Sequence, residues 1–149
     1  MPRKTMSHRL FLDSSALYAA IYSSTGAARE IIRWSIQGKV QLVASQDVLE
    51  ETQRNIARKA PEIVEVYRFF LALLTIEIVS DPTKAEVSEA EQFVAQKDAP
   101  IVAAARKANI DYMVTFDKKH LLEQEGFAEY VGAEILTPGK LVVILKPDE

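Results

Sequence analysis

Cysteine is absent from all 149 residues. Disulfide frameworks, thiolate zinc sites and cysteine nucleophiles are therefore excluded, and the composition fits a reducing, cytoplasmic setting. Histidine occurs only twice, at His8 and His120. Neither belongs to a metal-ligand cluster, and both read as surface or packing residues. No apolar run is long enough to cross a bilayer. The short basic start, Met1 to Arg9, lacks the apolar segment and small-residue cleavage site of a signal peptide. No GxxxxGK[ST] or GxGxxG element occurs, so ATP or dinucleotide binding has no support. Internal repeats, low-complexity tracts and long linkers are missing too. A surplus of positive charge is also lacking: 21 acidic against 18 basic residues give a net charge of −3. That balance argues against metal-free, sequence-independent coating of DNA, while leaving room for a metal site with a local basic rim.

What is present suits one domain able to bury roughly two-thirds of its unfolded surface. Residues 1–8 read as a flexible tail ahead of a single domain over residues 9–149. Strand-like and helix-like stretches alternate, the pattern of a parallel α/β sheet. His8 to Leu12 is a short apolar strand, and Ser14 to Ile21 a helix capped by Asp13 or Ser14. Ile31, Ile32 and Ile36 mark a helix stopped at Gly38. Val40 to Ala44 is a strand, and Ser45 caps a helix running to about Arg58. Pro61 opens a helix to Leu74. Ile76 to Val79 is a strand, and Lys84 to Ala95 and Ala99 to Ala108 are helices. Tyr112 to Thr115 and Ile135 to Leu136 complete the strands, with Thr137–Pro138–Gly139 opening a last turn or helix.

Within this frame four acids fall at one sheet edge. In open parallel sheets, sites form beyond the carboxyl ends of the strands. Asp13 follows the first strand, and Glu51 lies about one and a half turns into the helix after the second. From Asp98 a helix of about ten residues descends roughly 15 Å. The chain turns at Asn109–Ile110–Asp111, and a strand of about five residues climbs back roughly 17 Å to Asp117. The near-equal lengths return Asp117 to the level of Asp98. Each acid singly has an ordinary role open to it: a cap for Asp13 or Asp98, a salt bridge to Arg54 for Glu51, turn chemistry for Asp117. Together they form a cluster of carboxylates that a divalent cation relieves.

The same residues carry a family resemblance. Leu12–Asp13–Ser14–Ser15 resembles the first motif of the PIN-domain family of metal-dependent ribonucleases, and Val48–Leu49–Glu50–Glu51–Thr52 its second, with Glu51 selected over Glu50. The stretch KDAPIVAAARKANIDYMVTFDKKHL is similar to the family's acid-led helix followed by a Val–Thr–x–Asp strand end. The pattern, over roughly Arg9 to Leu141, looks most like VapC-like toxins of toxin–antitoxin pairs. The resemblance implies a three-layer α/β/α sandwich around a central parallel sheet. It implies a metal-dependent endoribonuclease using Mg²⁺ or Mn²⁺, with Asp13, Asp98 and Asp117 at the metal and Glu51 completing the site. Ser14 and Thr115 would orient carboxylates or a water. Arg54, Arg58, Lys97, Lys118 and Lys119 are the candidates for holding RNA, single-stranded or looped. The helix from Pro61 to Leu74 is apolar almost all round, which points to a homodimer or an antitoxin groove. The alternatives are an inert PIN-like module that binds RNA or protein, an aspartyl phosphatase and a receiver domain. The last two lack the second acid beside Asp13, where Ser15 stands.

Overall fold

A computed structural model describes residues 8–117, 121–123 and 126–146. The elements in chain order are β1 (His8–Leu12), α1 (Ser14–Tyr22), α2 (Ala27–Ile36), β2 (Val40–Ser45), α3 (Gln46–Lys59), a 3-10 turn (Pro61–Ile63), α4 (Val64–Leu73), β3 (Glu77–Val79), α5 (Lys84–Ala90), α6 (Ala99–Lys107), β4 (Tyr112–Val114), α7 (Phe127–Val131), β5 (Glu134–Leu136) and α8 (Pro138–Leu145). His8, placed in the tail by the domain division, belongs to β1. The rest of that tail lies outside the described residues.

The strands form one sheet in the order β3-β2-β1-β4-β5, every pair parallel. Parallel neighbours need crossovers, and right-handed crossovers put the helices of the outward and return journeys on opposite faces. One layer accordingly gathers α1 with α2, α3 and α4, and the other gathers α6 with α5 and α7. This is the expected three-layer sandwich. The middle strands are covered on both faces, so Leu10, Phe11, Leu42, Val43, Met113 and Val114 are all buried. The strand order reverses between β1 and β4, and the crevice at that reversal is where an open α/β sheet holds its ligand.

Several boundaries differ from the sequence reading. The Pro61 helix begins as a 3-10 turn. α5 ends at Ala90, and residues 91–98 reach α6 through turns that bury Val94 and stack Phe93 on Tyr130 at 4.4 Å. Tertiary packing there overrides helical periodicity. The unforeseen α7 is one short helix held between Gly126 and Gly132, both left-handed at φ 78° and 80°.

The amino edge of the sheet is held by Arg9. Its guanidinium grips the Glu77 carboxylate of β3 in two bonds of 2.8 and 2.6 Å. It also donates to the carbonyls of Ala108 and Asn109 at 3.0 Å each, tying β1 to β3 and to the turn between α6 and β4. A planar five-donor fork can do this where lysine cannot. The pair draws the Glu77 carboxyl below its ordinary range, through the hydrogen bond first and the charge second. Arg9→Ala should lower stability by about 1–3 kcal/mol, the scale of hydrogen bonds to a charged group, and Glu77→Gln by less, because two carbonyl partners of Arg9 survive. Urea unfolding of the two variants checks the ranking.

Candidate functional site

At the carboxyl edge the β1–β4 ladder ends with Leu12 beside Val114. Side chains then take over from the backbone. Asp13 caps α1, its Oδ1 accepting from the Ala16 amide at 2.9 Å and from the Ser15 hydroxyl at 2.7 Å. Its Oδ2 accepts from the Thr115 hydroxyl. Thr115 Oγ1 in turn accepts from the Asp117 amide at 3.0 Å, and Ser15 Oγ from the Phe116 amide at 3.0 Å. One carboxylate thus joins the start of α1 to the end of β4. Asp13 is only 5% exposed. Burial pushes its carboxyl up to about 6, against the pull of its three hydrogen bonds, and the neighbouring charge of Asp117 adds to the rise.

The other acids arrive from separate elements. Ser45 caps α3 by accepting from the Val48 amide at 3.2 Å, and the helix carries Glu51 inward while Glu50 stays exposed. Glu51 forms no ion pair with Arg54 among the described residues. Asp98 stands at the start of α6 without making a capping hydrogen bond, and its Oδ2 is buried. Asp117 follows β4 by three residues. Asp13, Glu51, Asp98 and Asp117 all line one cavity of about 560 Å³. Capping therefore does not account for Asp98, nor an Arg54 salt bridge for Glu51.

The donors suit a hard cation, being carboxylate and hydroxyl oxygens. Their arrangement does not hold one as it stands: among the described residues no three of His, Cys, Asp or Glu are close enough to share a metal ion. Both oxygens of Asp13 are already turned to Ser15, Ala16 and Thr115. Convergence on an ion would require side-chain rotation or bridging waters.

Ser14 lines the cavity, but the hydroxyl that reaches Asp13 belongs to Ser15. Arg54 and Lys97 line the cavity as well. Arg58 does not; it donates to Asn55 Oδ1 at 3.3 Å, and Lys59 takes its place on the wall. Arg58 and Lys59 are seven and eight residues beyond Glu51, both near its face, and the packing of α3 against α1 selects the second. Lys118, Lys119 and His120 lie outside the described residues. His8 packs its ring 5.9 Å from that of Tyr112. The sequence reading passed over Tyr18, Asn55 and Phe116, which also line the cavity. Helical spacing alone could have found Tyr18, four residues after Ser14, and Asn55, four after Glu51.

The raised carboxyl of Asp13 has a consequence for stability. An unfolded aspartate titrates near 3.9, so between about pH 4 and 6 the folded chain binds more protons than the unfolded one. Stability of the metal-free chain therefore falls as pH rises through that window, and the deficit is complete above it. Asp13→Asn keeps the acceptor for Ala16 and removes the buried charge. It should stabilise the metal-free protein by about 1–3 kcal/mol at pH 7 and flatten the stability profile between pH 4 and 6. Thermal melts across that range in EDTA measure both.

Residues 9–119 match the family profile described as the PIN domain. No curated protein sequence is detectably similar to the chain. Many solved structures share the fold, three of which follow. PAE2754 from Pyrobaculum aerophilum aligns with a TM-score of 0.65 at 20% identity, covering 98% of this chain and 95% of that one. VapBC2 from Rickettsia felis, solved bound to a DNA fragment from its promoter, gives 0.61 at 18% identity, covering 85% and 96%. VapC20 from Mycobacterium tuberculosis, described as a Sarcin-Ricin loop cleaving toxin, gives 0.50 at 20% identity, covering 74% and 91%. At these identities the structural likeness is one of fold, and the profile match over most of the sequence carries the assignment: the chain belongs to the PIN-domain family.

Proposed function

We propose that the chain is a metal-dependent endoribonuclease that hydrolyses RNA phosphodiester bonds in the cavity beside the β1–β4 reversal, as the toxin of a toxin–antitoxin pair. The observation that carries this reading is the meeting of Asp13, Glu51, Asp98 and Asp117, from four separate points in the chain, in a cavity that Arg54, Lys59 and Lys97 also line. Acids alone would repel a polyanion, and bases alone would bind it without chemistry. The combination suits a phosphate held against a cation. That VapC20 is described as a toxin cleaving the Sarcin-Ricin loop supports RNA as the substrate.

Asp13, Asp98 and Asp117 would hold Mg²⁺ or Mn²⁺, and Glu51 would complete the site or position a water. A bound ion supplies an acidified water and offsets charge on the phosphate. Ser15 and Thr115 fix the rotamer of Asp13, and Thr115 also binds the Asp117 amide. These two hydroxyls set the direction of the carboxylate in the metal-free chain. Arg54, Lys59 and Lys97 would draw the RNA backbone to the cavity.

The partner reading rests on α4. Of that helix only Tyr67 is buried, its hydroxyl donating to the Leu49 carbonyl at 3.0 Å. Phe69 and Leu73 are 61% and 49% exposed, so the helix is not wedged into the core. Covering this face would remove apolar area from water at about 25 cal/mol per Å². A homodimer or an antitoxin would do so, and it would sit outside the catalytic cavity.

One observation favours the alternative of an inert binding module: the described acids do not converge tightly enough to grip an ion. Calorimetric titration with Mn²⁺ separates the readings, since a module without catalysis has no use for the ion. The nuclease reading expects saturable Mn²⁺ binding that Asp98→Asn weakens. It also expects cleavage of single-stranded or looped RNA in Mn²⁺ or Mg²⁺, abolished by EDTA and reduced more than about 100-fold in Asp98→Asn. Folded protein, free of bound inhibitor, that takes up no Mn²⁺ and leaves every RNA intact would overturn it. For α4, light scattering at micromolar concentration should give a dimer or a stable complex that Phe69→Glu disrupts; a monomer with no partner removes that part of the reading.

A further inference from the structure

Resting on the nuclease reading of the cavity, we infer that Phe116, with Tyr18 of the same cavity, is a stacking platform for one unpaired base of the RNA, and so selects single-stranded over duplex substrate. Phe116 stands between Thr115 and Asp117, two residues bound into the acid network. Its backbone amide is held by Ser15 Oγ at 3.0 Å, which fixes where the side chain leaves the chain. Yet the ring is 48% exposed and lines the cavity. It stacks on no other aromatic ring among the described residues. A single exposed phenylalanine needs no explanation. This one is anchored by its own backbone at the acids and looks into a cavity of ligand size.

Tyr18 supplies the second ring. It lines the same cavity one turn beyond Ser14 and is held from two sides. Tyr22 lies nearly coplanar with it, ring centroids 5.7 Å apart at 11°, and the Lys59 ammonium sits 6.0 Å from its centroid. Lys59, Arg54 and Lys97 then take the phosphates that accompany a base resting on these rings. Aromatic faces combined with cations along a groove are the physical basis of single-strand recognition, because every unpaired base presents a π-face and paired bases do not. On the nuclease reading the acids, with their cation, serve the phosphate. The cavity therefore divides into a phosphate region at Asp13, Asp98 and Asp117 and a base region at Phe116 and Tyr18.

The test uses the full chain carrying Asp98→Asn, in which RNA stays intact, and reads fluorescence anisotropy of a short labelled single-stranded RNA. Adding Phe116→Ala should weaken binding about 5- to 150-fold, the range for losing one stacked base. Phe116→Trp should bind at least as well as the parent, and Phe116→Leu should fall between. Replacing bases one at a time by abasic sites should find a position whose loss weakens binding to the parent and has no effect on binding to the Phe116→Ala variant, which a merely structural role would not produce. Binding to the same sequence as a duplex should not respond to Phe116→Ala. If Phe116→Ala leaves single-strand affinity unchanged while the double variant Arg54→Ala, Lys97→Ala lowers it, the stacking inference is overturned and the nuclease reading stands. If neither change alters affinity, RNA does not enter this cavity and both are overturned.

Discussion

The structure turns on a buried carboxylate. Asp13 lies where the strand order reverses, and its charge is nearly sealed from water. A charge in such a place must find hydrogen bonds or give up its ionisation. It finds three, from Ser15, Ala16 and Thr115, and still titrates near 6. These bonds decide more than the state of one side chain. They cap α1, tie it to the end of β4 after the ladder stops, and through Thr115 and Ser15 fix the amides of Asp117 and Phe116. The wall of the cavity is thus assembled around the need to satisfy Asp13.

The placement of the acids was legible in the sequence because it depends only on backbone lengths. A helix down and a strand up of matching rise return Asp117 to the level of Asp98 whatever their side chains do. The choice of Glu51 over its neighbour Glu50 came from the family motif, and the cavity wall includes Glu51 alone of the two. What was not legible depends on rotation about a helix axis or a χ angle. Ser14 and Ser15 are both placed after the strand, and only packing determines which hydroxyl turns to Asp13. Arg58 and Lys59 differ by about 100° around α3, a difference that the neighbours of the helix resolve. α7 escaped notice because five residues between two glycines carry too little periodicity to register. The incomplete convergence of the described carboxylates was likewise invisible, since it depends on their side-chain rotamers and not on their positions in the chain.

The exposed face of α4 shows how one sequence pattern can be read two ways. A helix apolar on every side belongs in a core or in a contact. Here Tyr67 and Leu74 are buried and Phe69 and Leu73 are left outside, so the core accounts for one stripe of the helix and not the other. The stripe left over is distant in kind from the cavity: it offers no charge to a phosphate and no donor to a base.

The two edges of the sheet carry opposite burdens. At the amino edge, Arg9 bonds to Glu77, Ala108 and Asn109 in a region where charge meets counter-charge. At the carboxyl edge, like charges are gathered and one of them is buried at a cost. A carboxylate buried at a cost is one that a nearby positive charge would stabilise. That deficit in stability is tolerable only where the surrounding backbone does not yield to it. β1 and β4 run between the two edges, with Leu10, Phe11, Met113 and Val114 packed on both faces along the way. The packed core and the clamped amino edge hold the strand ends in place, and with them the acids that follow β1 and β4.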